Sequence, residues 1–312
     1  MFRVLPPVVV IGGCRLIREQ GAYDSIELLD SEGSRIIHGM REKRRGPAAL
    51  AISKSELLIV GGCVEEDVHL RSIEKVDLER KTSEIVGEID YNFSCAAFCP
   101  LKDGRLFIAG GYDGIGPINN VCVVSADGKF EKFESLPCDL KNSAAVEVDG
   151  KIFLFGGWDG RRTLKSIIIY DVESQKWEVR PGLPEPIECH TATLVGRSVF
   201  IVGGFDSLTV AKRIYRYDLD ARTCEELSQL DNGEGPRLTI GRENHFTVAV
   251  RSVEGDKTFL LVIGGWNGRE ALDNVEVFEL LEASPWLRKV SGDIARPISV
   301  PRNKPVALTL PY

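Results

Sequence analysis

The sequence predicts an all-β fold, a six-bladed β-propeller of four-stranded antiparallel blades. Two observations support this prediction: six Gly-Gly pairs each end a run of four apolar residues, and their spacing is nearly regular. The pairs lie at residues 12-13, 61-62, 110-111, 156-157, 203-204 and 264-265, at intervals of 49, 49, 46, 47 and 61 residues. A repeat of about 50 residues is the length of one four-stranded propeller blade. The repeat therefore predicts the fold.

Each repeat contains four predicted strands in a fixed order. The apolar run before the glycines, such as residues 57–60, is a buried strand, and the diglycine allows positive φ where that strand ends. A polar loop leads to a strand that ends in an acidic residue, such as residues 167–171. A short strand with a large residue follows, for example at Trp177. The fourth strand, such as residues 144–148, is small and apolar and precedes the next diglycine. This pattern is typical of a closed all-β array.

The two ends of the chain predict how the ring closes. Only one strand, at residues 8–11, fits before the first diglycine, whereas three strands follow the last one. These three are predicted at residues 275–278, 286–290 and 306–310. The last of them is similar to residues 47–52 of blade 2, so we expect it to pair with residues 8–11 and leave no open sheet edge. Residues 1–312 are then expected to form a single propeller domain, and no second domain is expected within them.

The loops after the glycine pairs carry a more specific pattern. An aromatic residue, then Asp or Asn, then Gly follow the pair in three blades, at residues 111–114, 157–160 and 265–268. With Tyr170, Asp171 and Trp177, this pattern resembles the kelch repeat over essentially the whole chain. The resemblance implies a rigid face of loops that binds a partner protein, often a ubiquitin-ligase substrate or a cytoskeletal protein. Cys14 and Cys63 replace the usual aromatic in blades 1 and 2, which predicts looser packing there.

Composition limits the classes of partner. The net charge of −7 argues against nucleic acid, because phosphate binding needs a basic surface. No apolar run near the N-terminus is long enough for a signal-peptide core or a membrane span, so a cytoplasmic protein without a membrane partner is expected. The eight cysteines lack Cys-x-x-Cys spacing and are expected to be reduced and mostly buried, not disulfide-bonded or bound to zinc. The oligomeric state stays open.

The sequence contains no catalytic motif of the nucleophile-elbow, phosphate-loop or His-Glu-x-x-His type. His190 and His245 occupy equivalent positions at the start of a fourth strand, where a structural role is favoured. Residues 65–69 gather three carboxylates and a histidine, which we interpret as a solvated loop. We therefore expect neither an enzyme nor a cofactor. The alternative is a cofactor-free propeller enzyme acting on a sugar, such as a sialic-acid mutarotase, with carboxylates and histidines converging at the central channel.

A set of arginines suggests where a partner binds. Three residues before the first position of the fourth strand, blades 1 to 6 have in turn Arg302, Arg44, Asn92, Leu140, Ile187 and Arg242. Blades 6, 1 and 2 are neighbours in a closed ring, so their arginines predict a basic arc beside an insertion at residues 228–241. The planar guanidinium group of arginine can donate two parallel hydrogen bonds to a carboxylate, so the arc predicts an acidic protein segment as the partner. The predicted partner-binding residues are Arg44, Arg45, Arg242, Arg302 and His245. The alternative is that the arginines belong to the repeat and pair with carboxylates of adjoining loops.

Overall fold

The computed structural model describes residues 6–16, 21–65, 67–290 and 296–311, and the strands of this part form six four-stranded antiparallel sheets. Blade 1 contains β1 (Val8–Ile11), β2 (Ser25–Asp30) and β3 (Gly33–Gly39). Blade 2 contains β4 (Ala48–Ala51), β5 (Glu56–Val60), β8 (Ser72–Asp77) and β9 (Thr82–Glu88), and a small hairpin of β6 (Cys63–Glu65) and β7 (Val68–His69) interrupts it. Blade 3 contains β10 (Ala97–Pro100), β11 (Leu106–Ala109), β12 (Val121–Val124) and β13 (Phe130–Lys132).

The other three blades have the same order of strands. Blade 4 contains β14 (Ala144–Val148), β15 (Lys151–Phe155), β16 (Ser166–Asp171) and β17 (Lys176–Pro181). Blade 5 contains β18 (Thr191–Val195), β19 (Ser198–Val202), β20 (Ile214–Asp218) and β21 (Thr223–Glu226). A 3-10 helix (Leu227–Gln229) and a short α-helix, α1 (Leu230–Gly233), follow blade 5. Blade 6 contains β22 (Phe246–Arg251), β23 (Thr258–Ile263), β24 (Val275–Leu280) and β25 (Leu287–Lys289), and β26 (Val306–Thr309) completes blade 1.

The fold class predicted from the sequence is confirmed, and so is the pairing at the seam. Strand β26 is antiparallel to β1, with Val306 opposite Ile11 and Thr309 opposite Val8. One expected strand, residues 286–290, is shorter than predicted, because Trp286 has a positive φ of 64° in the turn that precedes β25. None of the described helices is long and apolar enough to cross a membrane.

The diglycines hold neighbouring blades together. The N–H of the second glycine donates a hydrogen bond of 2.8 Å to a carbonyl at the entry of the next blade, as Gly13 does to Arg44. The accepting residues around the ring are Arg44, Phe93, Leu140, Ile187, Arg242 and Arg302. The first glycine leaves no room for a side chain, because a Cβ on Gly12 would lie 2.2 Å from the Arg44 carbonyl oxygen, and its φ is +59°. The repeat that predicts the fold is therefore also the contact between its blades.

A second ring of backbone hydrogen bonds runs around the central channel. One residue per blade, just before the innermost strand, has a left-handed backbone, with φ between 51° and 59°. These six residues are Gly46, Cys95, Asn142, Cys189, Asn244 and Lys304. Each N–H donates to the carbonyl of the corresponding residue in the preceding blade at 2.8–3.0 Å, and Gly46 bonds back to Lys304. We call this closed circle the entry ring.

Apolar side chains fill the space between blades and part of the channel. All four residues of β1 and most residues of β5, β11 and β19 are fully buried. Below the entry ring, Phe98 of blade 3 and Phe246 of blade 6 stack with their ring centroids 6.0 Å apart. Cys14 and Cys63 are buried as well, so the looser packing expected for blades 1 and 2 is not seen at these positions.

Candidate binding face at the channel mouth

The loops of the propeller are divided between two faces. Each innermost strand runs away from the entry ring, and the next strand returns to it and ends at the diglycine, as β10 and β11 do. The loops after the diglycines and the connections between blades therefore share one face, which we call the diglycine face. The tight turns within the inner strand pairs lie on the opposite face.

Beside the entry ring, an outer tier of residues surrounds the channel mouth. The residue before each entry-ring residue forms a β-bridge with the residue after a diglycine, for example Lys141 with Trp158. In blades 3 to 6 the residue after the diglycine is Tyr112, Trp158, Phe205 or Trp266, and all four are partly exposed. Lys141 Nζ lies 4.5 Å from the ring centroid of Tyr112 and 4.7 Å from that of Trp158. The mouth is thus aromatic on four consecutive blades and carries a cation between two of the rings.

Two loop tips project large apolar side chains from this face. Ile115 in blade 3 is 93% exposed and Leu208 in blade 5 is 87% exposed. Asp113 Oδ1 accepts hydrogen bonds from the N–H groups of Ile115 and Gly116 at 2.8 and 2.9 Å, and Asp206 makes the same turn below Leu208. Partial burial opposes ionisation of Asp113, but these backbone donors prevail and lower the pKa of its carboxyl. The apolar tips are therefore held outward by their own loops.

Blade 4 supplies cations between the two apolar tips. Arg161 and Arg162 are exposed at the corresponding loop tip, and Arg162 Nε lies 3.7 Å from Asp159. Blade 4 lies between blades 3 and 5, so these three blades present an apolar tip, a basic tip and a second apolar tip in succession. Sequence reasoning did not select these residues, because each one taken alone is an ordinary loop residue.

A family model matches residues 134–300, and its description is the KLHDC2/KLHL20/DRC7 Kelch-repeats domain. The matched segment covers more than half of the chain and includes blades 4 to 6. The chain belongs to the kelch-repeat family. Kelch domains are generally protein-interaction modules. Among curated proteins, none matches the chain.

The structure corrects the predicted arginine arc of this kelch propeller. Arg44, Arg242 and Arg302 have no solvent-exposed surface. The Nη1 atom of each donates to the carbonyl of the first glycine of its blade, at 2.6, 2.9 and 2.6 Å. Each Nη2 also contacts a buried glutamate in the strand that follows the diglycine loop of the same blade, which is β2, β8 or β24, at 2.7–3.0 Å. A partner cannot reach these guanidinium groups, so the alternative of structural pairing is the better one. The carboxylates come from strands in all three blades, and Arg44 also pairs with the loop residue Glu42 at 2.6 Å.

The other two predicted partner-binding residues are also buried. Arg45 is 4% exposed, and its Nη2 lies 3.6 Å from Cys63 Sγ. His245 is 4% exposed, and its Nε2 lies 3.2 Å from Thr191 Oγ1 on the wall between blades 5 and 6. A direct contact between either side chain and a partner remains an untested prediction, and their burial argues against it.

The buried arginines belong to a pattern that differs between the two halves of the ring. Blades 1, 2 and 6 have an arginine, and a glutamate lies at the matching position of the strand after the diglycine loop. These pairs are Arg302 with Glu27, Arg44 with Glu74 and Arg242 with Glu276. Blades 3, 4 and 5 carry uncharged pairs at the same two positions, namely Phe93 with Cys122, Leu140 with Ile168 and Ile187 with Tyr215. The equivalent residue in blade 3 is Phe93 and not Asn92, the residue that the sequence predicts, because the Phe93 carbonyl accepts the hydrogen bond of the Gly62 N–H. The same site between blades is thus filled by an ion pair in one half of the ring and by uncharged side chains in the other half.

A cavity of about 570 Å³ occupies the central channel, and the innermost strands line it. Among the described residues, no group of three or more His, Cys, Asp or Glu side chains is arranged to hold a metal ion. The acidic loop at residues 65–69 includes residue 66, which lies outside the described residues. His190 and His245 line the cavity and are buried.

The buried His190 predicts a loss of stability in mild acid. Burial lowers its pKa to about 4, against about 6.5 when unfolded. Between these two pH values the unfolded chain binds more protons than the folded chain. The contribution of neutral His190 to the free energy of unfolding is therefore complete above pH 6.5 and is lost as the pH falls toward 4. The loss should approach about 3 kcal/mol at pH 4. Urea unfolding at several pH values should show a shallower decline for His190→Gln. His38→Gln, outside the central channel, is the matched control, and equal slopes for all three proteins would contradict the prediction.

Proposed function

We propose that this kelch propeller is a protein-binding module whose partner binds across blades 3 to 5 of the diglycine face. The observation that supports this proposal is the combination of exposed Ile115 and Leu208 with the aromatic tier beside them. Aromatic residues and arginine are enriched at the energetically dominant positions of protein interfaces. Large apolar side chains held outward by ordered turns gain free energy when a partner covers them.

The charges on the diglycine face of blades 3 to 5 favour a partner segment with apolar side chains flanked by carboxylates. Arg161 and Arg162 project from blade 4, and Lys141 lies between two aromatic rings. The chain as a whole has a net charge of −7, so a local group of cations would set the docking position of an acidic segment. The acidic preference expected from the sequence is thus retained, but we assign it to blade 4 in place of blades 6, 1 and 2.

The family resemblance implies two classes of partner, ubiquitin-ligase substrates and cytoskeletal proteins, and identification of the bound protein distinguishes them.

The alternative function, a sugar-converting enzyme, has less support. It needs carboxylates and histidines that converge in the channel, whereas Glu147 bonds to the backbone of its own turn at Gly150 and His245 contacts Thr191. Among the described residues, no observation favours that alternative.

Affinity capture with variants of the two faces tests the proposal. Ile115→Ser with Leu208→Ser should reduce the captured amount of a specific partner at least tenfold, because two apolar contacts of about 1–2 kcal/mol each are lost. Val253→Ser is the matched control, since Val253 is 60% exposed in a turn on the opposite face. Circular dichroism should show that all variants are folded. Unchanged capture by the double variant, or loss with Val253→Ser, would contradict the proposed face.

A further inference from the structure

A lysine and a cysteine of the entry ring form a direct contact at the channel mouth. Lys304 Nζ donates a hydrogen bond to Cys95 Sγ at 3.2 Å. Both residues line the central cavity, and both are partly exposed. Their backbones have φ of 56° and 54° and are held by the blade-to-blade hydrogen bonds of the ring. The fold itself therefore brings the ammonium group and the thiol together.

Gly46, the residue of blade 2 that separates this pair in the ring, leaves space for the sulfur. A Cβ at Gly46 would lie 2.9 Å from Cys95 Sγ. The other described positions of the ring carry Asn, Cys or Lys, so only here does the ring lack a side chain. The absence of a side chain at residue 46 and the Lys304 contact thus favour the same position of the thiol.

We propose that Cys95 is a site of covalent modification, a thiol that Lys304 activates toward soft electrophiles such as α,β-unsaturated carbonyl compounds. In this reaction the thiolate sulfur forms a bond to the β-carbon, and the electron pair of the carbon–carbon double bond moves to the α-carbon and carbonyl. The Lys304 ammonium group delivers a proton to the α-carbon and regains one from water. The product is a thioether at the channel mouth, and no oxidant or reductant is required.

The groups around the thiol explain why Cys95 is singled out among the eight cysteines, all of which are free. Burial opposes ionisation of Cys95, but Lys304, Ser94 and Lys141 outweigh burial and lower the pKa of its thiol. The neighbouring thiols that face it are Cys14, Cys63 and Cys189. Burial and then Glu243 and Glu188 raise the pKa of Cys189 well above its usual value.

The remaining cysteines are less favourable nucleophiles. Burial raises the pKa of Cys14 and Cys63 despite Arg45, and it also raises the pKa of Cys99. It raises the pKa of Cys122 to about 11 and of Cys224 to about 12. Cys138 is half-buried like Cys95, and burial raises the pKa of its thiol too, so it serves as an internal reference for accessibility. The thiolate is the nucleophile, so selectivity should follow these differences.

Labelling of the full chain with N-ethylmaleimide at pH 7 tests the proposal independently of any partner. Peptide mass spectrometry should show Cys95 labelled first, at least tenfold faster than Cys138. Lys304→Asn should slow labelling of Cys95 at least tenfold and move the inflection of its pH–rate profile upward. Asn occupies the same left-handed position in blades 4 and 6, so this substitution suits the backbone. Lys102→Asn, an exposed site on the opposite face, should keep the normal rate.

Two outcomes would overturn the proposal: labelling of Cys95 no faster than that of Cys138, or an unchanged rate and pH profile in folded Lys304→Asn. Should Lys304→Asn fail to fold, the pH–rate profile of the unaltered protein decides. An inflection for Cys95 below about pH 8.5, the usual thiol value, supports activation, and one above it overturns the proposal.

Discussion

Deletion of residues 303–312 is expected to open the propeller at its seam and cause aggregation. The deletion removes β26, the partner of β1, and exposes the edge of a strand whose four residues are now fully buried. It also breaks the entry ring at Lys304 and the bridge between Cys14 and Asn303. An open, apolar strand edge pairs readily with other chains. Light scattering after gel filtration and thermal unfolding measure the two consequences.

The matched control for this deletion is removal of residues 311–312 alone, which follow β26 and leave its pairing with β1 intact. This shorter deletion should keep the protein monomeric with nearly unchanged thermal stability. If the chain lacking residues 303–312 behaved in the same way, the closing role of β26 would be wrong.

Arg44→Leu is expected to destabilise the protein by about 3–5 kcal/mol, because it leaves Glu74 as a buried charge without its main partner. Glu74→Ile should also be destabilising, because it leaves the buried Arg44 guanidinium with the partly exposed Glu42 as its remaining carboxylate partner. The double substitution should recover most of the lost stability, because blade 4 already carries Leu140 and Ile168 at these two positions. Replacing a buried ion pair by packed apolar residues is often close to neutral.

Urea unfolding of the two single variants and the double variant gives the coupling free energy directly. A coupling of several kcal/mol supports the view that the Arg–Glu and apolar pairs are interchangeable fillings of one site. Additive losses, with the double variant the least stable of the three, would show that the arginine has a separate role, such as its bond to the Gly61 carbonyl.

The sequence predicts the blades well because the repeated residues are the ones that connect them. The diglycines mark the ends of buried strands and also donate the hydrogen bonds between blades, so their spacing determines the number of blades and the position of the seam. The burial of the arginines was missed, although a signal was present. Glu27, Glu74 and Glu276 each stand two residues after a Ser or Asn in the three blades that carry an arginine, and in no other blade.

Other parts of the site leave little trace in the sequence. The entry ring is defined by backbone conformation, and its positions hold Gly, Cys, Asn and Lys, so no shared residue type reveals it. The contact between Lys304 and Cys95 joins blades 1 and 3 across 209 residues of chain. The exposed tips at Ile115 and Leu208 become a common surface only when the ring places their blades on one arc.

The central claim is that a protein partner binds the diglycine face at blades 3 to 5. A photo-crosslinking amino acid placed singly at position 115, 208 or 253 tests it most directly, because all three positions are exposed and the third lies on the opposite face. We expect positions 115 and 208 to crosslink to the same protein, and position 253 to give no crosslink to it. Crosslinking of that protein from position 253, with none from 115 or 208, would contradict the claim.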